Sequence, residues 1–211
     1  MIHLKRLIII SLISIPILAN SQSKDFRLWV GANATKTFDK KYIVNVGTQA
    51  RFDQNATNLY RYLIQTRLQY KPTKYYKVGL NYRFSDWGIT NTNRIDLDNF
   101  LRHSVDKETM ELRVRLQREF GLNTTLEDRI RFRFAYTHKF SKRLNVYGKA
   151  EYFYSSRFNL QTWDMQRYTA GTRFRVALGH FFNVFYRYEF EQNVEAPEHR
   201  FVFGTMYNFK F

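Results

Sequence analysis

The feature that most constrains the fold of this chain is a regular alternation of apolar and polar side chains, clearest in its last segment, His199–Phe211. Every second residue there is aromatic apart from one threonine, and the residues between them are mixed and mostly polar. Successive side chains of a strand point to opposite faces, so the pattern predicts a strand with one apolar face. The residues of that face are Phe201, Phe203, Thr205, Tyr207, Phe209 and Phe211.

The same alternation recurs in ten further segments, of which Arg94–Arg102 is the weakest. Period-two alternation over such lengths is typical of strands with one buried and one wet face. The other candidates are Asp25–Thr37, Tyr42–Asp53, Tyr60–Tyr70, Tyr76–Phe84, Met110–Gln117, Arg129–His138, Leu144–Tyr154, Tyr168–Leu178 and Val184–Glu191.

Tight turns and longer polar connections alternate between these segments, which predicts an antiparallel up-and-down meander. The longer connections are predicted at Gln54–Asn58, Ser85–Asn93, Gly121–Asp128, Ser155–Asp164 and Gln192–Glu198. Single-chain bacterial barrels usually have an even number of strands. The sequence therefore predicts ten strands if Arg94–Arg102 is a loop, or twelve if a further strand is hidden. The regular alternation of turns and loops favours twelve.

The apolar faces of so many strands need a cover, and two kinds of barrel provide one. A soluble meander barrel of the lipocalin type turns its apolar face inward. A transmembrane barrel turns it towards lipid and closes the sheet, so that no backbone group is left unpaired. Tyrosine and phenylalanine near the strand ends, and glycine with arginine on the polar face, favour the transmembrane barrel. The predicted fold is an all-β transmembrane meander barrel of ten to twelve strands.

The N-terminus has the pattern of a secretory signal peptide. Lys5 and Arg6 precede thirteen apolar residues, Leu7–Ala19, and small residues follow at the positions that a signal peptidase recognises. The alternative is a membrane anchor, but the run is shorter than the roughly 20 residues that a spanning helix needs. We predict cleavage after residue 21 and a barrel over residues 22–211, exported to the bacterial outer membrane.

The charge of the chain concerns its partners rather than its fold. The formal charge is +16, and removal of Lys5 and Arg6 subtracts two to leave about +14. An exported protein seldom meets nucleic acid, so we expect outer-membrane lipid or lipopolysaccharide and small anionic solutes as partners. The chain has no cysteine, which excludes disulfides and thiolate metal sites. No cofactor or metal is expected.

The C-terminal pattern of Thr205, Tyr207, Phe209 and Phe211 resembles the assembly signal of bacterial outer-membrane barrels, which implies recognition by the barrel insertion machinery. The mature chain also resembles an uncharacterised family of Gram-negative outer-membrane barrels of the Bacteroidota type. The segments that carry this resemblance are LWVGANATKTFDKK, KVGLNYRFS, ELRVRLQ and KAEYFY. That family implies no particular activity.

The predicted inward face is rich in arginine and poorer in acids such as Glu111, Glu151 and Glu189. Guanidinium groups bind carboxylate, sulfate or phosphate through paired donors, and rings of arginine bias a pore towards anions. We therefore predict a narrow channel or binding lumen for small anions. The lumen candidates are Arg51, Arg67, Arg83, Arg113, Arg115, Arg129, Arg131, Arg133, Arg173, Arg175 and Arg187.

Two other functions stay open. A plugged barrel, in which arginine and glutamate neutralise each other, would be structural or would bind partners through loop residues such as Trp87, Ile89, Phe158 and Trp163. A lipid-modifying hydrolase is the second alternative. His103 and Ser104 are adjacent and so face opposite sides of a strand, and Asp96 with Asp98 is weak evidence. The sequence therefore does not predict an enzyme.

Overall fold

A computed structural model describes residues 25–211, apart from residues 89, 122–123 and 158–159. The signal-peptide prediction and the loop residues Ile89 and Phe158 lie outside the described residues. Within the described part, the chain forms eleven strands. They are β1 (Asp25–Phe38), β2 (Tyr42–Asp53), β3 (Asn58–Tyr70), β4 (Tyr76–Asp86), β5 (Asn91–Val105), β6 (Glu108–Gly121), β7 (Thr124–Lys139), β8 (Leu144–Arg157), β9 (Leu160–Ala177), β10 (His180–Glu191) and β11 (His199–Lys210).

Each strand pairs with its sequence neighbour in antiparallel register, and β1 pairs with β11 to close the barrel. Eleven is an odd number, so the first and last strands of the meander run in the same direction. The β1–β11 pairing is therefore parallel, with Trp29 opposite Gly204. The predicted all-β meander barrel is confirmed. The described residues give one strand fewer than the favoured twelve, because Arg94–Arg102 is part of a full strand and no twelfth strand accompanies it.

The barrel has two distinct rims. The turn rim holds the connections 39–41, 71–75, 106–107, 140–143 and 178–179, together with the C-terminal Phe211. The loop rim holds the connections after β2, β4, β6, β8 and β10, and β1 starts there because Asp25 pairs with Arg200. Short turns are typical of the periplasmic side of such barrels and longer loops of the extracellular side.

Several predicted loops are shorter than the sequence suggested. The segments Gly121–Asp128 and Ser155–Asp164 were expected to be loops, but β7 starts at Thr124 and β9 at Leu160. In these strand ends isolated apolar residues such as Leu126 and Trp163 stand among polar ones, without the regular alternation that identifies the middle of each strand. Gln192–Glu198 remains a longer connection. Within the described residues there is no helix long and apolar enough to cross a membrane.

The two faces of the sheet differ sharply in chemistry. The outward face of the described strands exposes large apolar side chains all around the barrel, and the inward face buries charged and polar ones. Inward glycines leave room for large inward side chains. A Cβ atom at Gly204 would clash with the ring of Phe185, and one at Gly171 would clash with Tyr147. An aqueous barrel with an apolar interior does not fit this arrangement.

The apolar outer face predicts a depth-dependent cost for outward charges. Leu97 lies outward near the middle of β5, and Val105 lies outward at its end. In lipid vesicles, Leu97→Arg should lower the free energy of unfolding by about 2–4 kcal/mol, and Val105→Arg by about 0–1 kcal/mol. Urea unfolding followed by tryptophan fluorescence measures both. Equal costs at the two positions would show that the outer face does not meet hydrocarbon.

Candidate functional site: an arginine-rich lumen

A network of ion pairs occupies the lumen along β6 to β10. At its centre Glu151, which is almost fully buried, contacts three arginines. Its carboxylate oxygens lie 2.6 Å from Arg131 Nη2, 3.1 Å from Arg113 Nη2 and 3.5 Å from Arg167 Nη1. Cross-strand register places Arg167 of β9 directly opposite Glu151 of β8, whereas Arg133, the residue opposite it on β7, pairs with Glu111 instead. One carboxylate therefore neutralises only part of the charge around it.

A second group of ion pairs joins β5 to β6. Asp98 accepts two hydrogen bonds from Arg115, at 2.7 Å from Nε and 2.8 Å from Nη2. Asp96 lies 2.7 Å from Arg115 Nη1 and also accepts a hydrogen bond from Asn81. The paired carboxylates named as weak evidence for catalysis thus hold one buried arginine. His103 and Ser104 lie on opposite faces of β5. His103 stacks on Tyr75, and the hydroxyl group of Ser104 is hydrogen-bonded to that of Thr109.

Apolar side chains fill part of the opposite side of the lumen. Trp29, Phe185 and Val202 are buried against each other, and Tyr147 and Met206 pack on them. These residues come from β1, β8, β10 and β11, on both sides of the parallel seam. The cluster narrows the lumen from this side, and Trp29, Tyr147, Phe185 and Met206 also form part of the wall of a cavity in it.

Four inward arginines on β2, β3 and β4 have no acidic partner among the described residues. Arg51 donates from Nε to Gln49 at 2.8 Å, and Arg83 donates from Nη2 to Gln65 at 2.8 Å. Arg61 and Arg67 form no hydrogen bond or ion pair with a described residue, and the Nε atom of each is buried. We call these residues the acid-free arginines. The inward face of β2 to β4 carries Asp53 near the loop rim as its acid, so its charge is strongly positive.

Two cavities lie between these walls. The inner cavity has a volume of about 260 Å³, and the described residues around it comprise nine arginines, one lysine and a single acid, Glu151. The mouth cavity has a volume of about 660 Å³ and is lined by nine arginines and six acids. Arg51 and Arg83 line both cavities. Positive charge in excess of acid thus increases from the mouth cavity to the inner one.

The structure brings most of the predicted lumen residues together. The predicted pairing of β6 with β7 is observed, with Arg113 opposite Arg133 and Arg115 opposite Arg131. Of the predicted arginines, the inner cavity is lined by Arg51, Arg67, Arg83, Arg113, Arg115, Arg131, Arg133 and Arg187, and the mouth cavity also by Arg129.

Two predicted lumen residues lie elsewhere. Arg173 sits near the turn rim over the ring of Phe181, at 4.8 Å from its centre, and lines neither cavity. Arg175 has the inward parity but stands next to the end of β9, where its side chain is exposed. Alternation alone does not show how far along a strand the lumen extends.

Sequence reasoning missed several lumen residues. Arg94 belongs to the weakest candidate strand, although it shares a face with Asp96 and Asp98. Arg167 precedes the predicted start of β9 by one residue, and extending the alternation by one step would have included it. Arg61 lies on the polar face that the alternation of Tyr60–Tyr70 predicts, and it lines the mouth cavity. Lys149 lines the inner cavity from β8.

The predicted assembly signal lies on β11 and at the C-terminus. Tyr207 bonds through its hydroxyl group to His180 Nδ1, and Phe209 packs against the same imidazole ring. The backbone N–H of Phe211 donates to the carbonyl of Thr35 at 3.0 Å, across the β1–β11 seam. The C-terminal residue therefore takes part in closing the barrel.

A closed meander with an apolar outer face and a charged lumen defines the class of outer-membrane-type β-barrels. The chain belongs to DUF2490, a family of proteins of unknown function, which it matches over residues 26–200. This bears out the resemblance seen in the sequence to an uncharacterised barrel family.

Solved structures with a similar fold support the same class. A bacterial polysaccharide outer membrane secretin superposes with a TM-score of 0.56 at 13% identity, covering 77% of this chain and 62% of the secretin. The chain thus spans less than two thirds of that protein. The NanC porin superposes with a TM-score of 0.54 at 8% identity, covering 78% of this chain and 86% of the porin. Identities this low show a shared fold alone. No curated protein matches the chain.

Substitution should affect stability differently at the two kinds of lumen arginine. Arg115→Met would leave the buried Asp98 without its two hydrogen bonds and should lower the free energy of unfolding by about 3–5 kcal/mol. Arg67→Met removes a charge that no carboxylate neutralises, so it should leave stability unchanged or raise it. Urea unfolding in lipid vesicles measures both variants. Equal losses would contradict the division of the lumen into paired and acid-free arginines.

Proposed function

We propose that this protein is an outer-membrane barrel whose lumen forms a narrow pathway selective for small anionic solutes. The observation that carries the proposal is the excess of guanidinium over carboxylate around the inner cavity, above all the acid-free arginines. Cations in a confined space of low dielectric attract anions more strongly than they would in bulk water. A positively charged constriction also repels cations, so the same residues supply both attraction and selectivity.

The fold neighbours agree with this kind of function without defining it. One neighbour is named a porin, and the other a polysaccharide secretin. The name of the secretin places that protein in the outer membrane, which supports the proposed location of this chain. Transport, anion selectivity and the identity of the solute are our inference from the charges of the lumen.

Export and assembly complete the proposal. The N-terminal pattern supports cleavage of residues 1–21 during export, and the aromatic C-terminal pattern supports recognition by the barrel insertion machinery. After insertion of the barrel, its apolar outer face would contact outer-membrane lipid or lipopolysaccharide. The proposed function involves neither nucleic acid nor a catalytic step.

A plugged structural barrel is the second candidate, and two observations favour it. The ion pairs of Glu151, Asp96 and Asp98 fill much of the lumen, and the cluster around Trp29 narrows it from the other side. In this case the acid-free arginines would hold counter-ions without passing them. The two candidates differ in whether ions cross the lumen.

Electrical recording from the purified protein in a planar lipid bilayer separates the candidates. We expect a small conductance in potassium chloride, with a reversal potential that indicates anion preference under a salt gradient. Arg67→Glu and Arg83→Glu should each reduce the ratio of anion to cation permeability severalfold, because each replaces an uncompensated positive charge of the inner cavity.

Arg175→Glu is the matched control, since it makes the same charge change at an exposed position outside both cavities. It should leave the permeability ratio near the wild-type value. The gel mobility of unheated samples shows whether each variant is folded. A cation preference would overturn the proposal, and folded protein that conducts no ions would favour the plugged barrel.

A further inference from the structure

Two of the acid-free arginines face each other across a strand pair, and each is stacked on a tryptophan. Arg51 of β2 is the direct cross-strand partner of Arg61 of β3. The guanidinium carbon of Arg51 lies 3.7 Å from the ring centre of Trp29, and that of Arg61 lies 3.0 Å from the ring centre of Trp87. The sequence contains three tryptophans, and two of them support this pair.

Stacking on an indole fixes the plane of a guanidinium group and occupies its face. The N–H donors lie in that plane and point away from the ring, so they stay available to a ligand. The Nε atom of Arg51 uses its donor on Gln49, while Arg61 forms no hydrogen bond with a described residue. Both side chains are therefore held in place with unused donors.

The acids that interact electrostatically with this pair, Glu189 with Arg51 and Glu119 with Arg61, form their ion pairs with other arginines. Glu119 lies 4.0 Å from Arg94 Nη1, and Glu189 lies 2.7 Å from Arg167 Nε. Neither forms an ion pair with Arg51 or Arg61. Like charges directly opposite each other in an antiparallel pair are destabilising. A bound anion between the two guanidinium groups would remove that repulsion.

The pair lies where a solute would pass from one cavity to the other. Arg61 and Trp87 line the mouth cavity, and Arg51 and Trp29 line both cavities. The mouth cavity, at about 660 Å³, falls within the usual range for small-molecule sites. An anion bound by this pair would therefore lie at the boundary between the mouth cavity and the inner cavity.

We propose that Arg51 and Arg61 form a binding site for a tetrahedral oxyanion, a phosphate or sulfate group carried by a small solute. A carboxylate has two oxygens and can satisfy one guanidinium fork, whereas a tetrahedral group has enough oxygens for two forks. A phosphate monoester also carries a charge of about −1.5 to −2 at neutral pH, which matches two guanidinium groups. This proposal deepens the proposed function by naming the class of anion, and it rests on the same lumen.

Fluorescence titration of the folded protein in detergent tests the site without requiring conductance. The Trp163→Phe variant removes the tryptophan of the outer face, which packs on Phe132 and Tyr154. The remaining tryptophans are those beneath Arg51 and Arg61. At constant ionic strength, inorganic phosphate and sulfate should give a saturable change, with affinity at least about tenfold higher than that of acetate or chloride. Because no lipid is added, saturation shows that a free anion suffices and that a lipid headgroup is not required.

Three variants in this background test the assignment to the pair. Arg51→Gln and Arg61→Gln should each weaken phosphate binding by about tenfold or more, as expected for the loss of hydrogen bonds to a charged group. Arg61→Lys retains the charge but not the fork, so it should also weaken binding, although less than Arg61→Gln. Arg175→Gln, at the turn rim, should bind as tightly as the parent protein. Circular dichroism verifies that each variant is folded.

The absence of saturable phosphate binding to the folded parent protein would overturn the site. Equal weakening by Arg175→Gln and Arg61→Gln would overturn it too, since net charge alone would then explain binding. The outcome is independent of the bilayer recordings. Binding without conductance would support the site and remove the channel, and anion-selective conductance without binding would remove the site alone.

Discussion

The structure depends on the difference between the two environments that the sheet separates, hydrocarbon outside and a charged lumen inside. In hydrocarbon every backbone N–H and C=O must be paired within the protein, so the sheet must close. With eleven described strands in a meander, closure requires a parallel seam between β1 and β11. The contact of the sheet with hydrocarbon therefore explains both its apolar outer face and the pairing of the aromatic C-terminal strand with β1.

Inside the barrel, the arrangement of acids determines what the arginines can do. Removing a charge from water is costly unless a partner compensates for it. On β5 to β10, cross-strand register supplies such partners, as in the pairing of Asp98 with Arg115 and of Glu151 with three arginines. On β2 to β4, Arg51, Arg61 and Arg83 have amide or aromatic partners instead, and the side chain of Arg67 has no polar partner among the described residues. This side of the lumen is left with positive charge that a mobile anion can neutralise, and both proposals follow from that asymmetry.

Much of the fold could be predicted from the sequence, because each strand of a sheet with one apolar and one polar face must alternate apolar and polar residues. The alternation located β1 to within one residue and β2 at its exact bounds, since both cross the apolar layer along most of their length. It failed at the loop-rim ends of β7 and β9, where apolar and polar residues do not alternate regularly. The favoured number of twelve differs by one from the eleven described strands, because the expectation of an even number came from what is usual in bacterial barrels and not from any residue of this chain.

The site was less accessible to sequence reasoning, for a physical reason. Alternation identifies which arginines face inward, but ion pairing depends on register between strands and on the length of the side chains. The three contacts of Glu151 come from three strands, and the stacking of Arg61 on Trp87 joins β3 to the connection after β4. The sequence therefore indicated an excess of guanidinium without showing which groups lack an acid.

The most direct test of this account measures which medium each face of one strand meets. The chain has no cysteine, so single cysteines can be placed at Ile64, which faces outward on β3, and at the adjacent inward Gln65, and then spin-labelled in lipid vesicles. Our account predicts that the label at position 64 is relaxed by oxygen, which concentrates in hydrocarbon, and that the label at position 65 is not. Relaxation of the label at position 64 by a water-soluble paramagnetic reagent, with oxygen reaching position 65 instead, would contradict it.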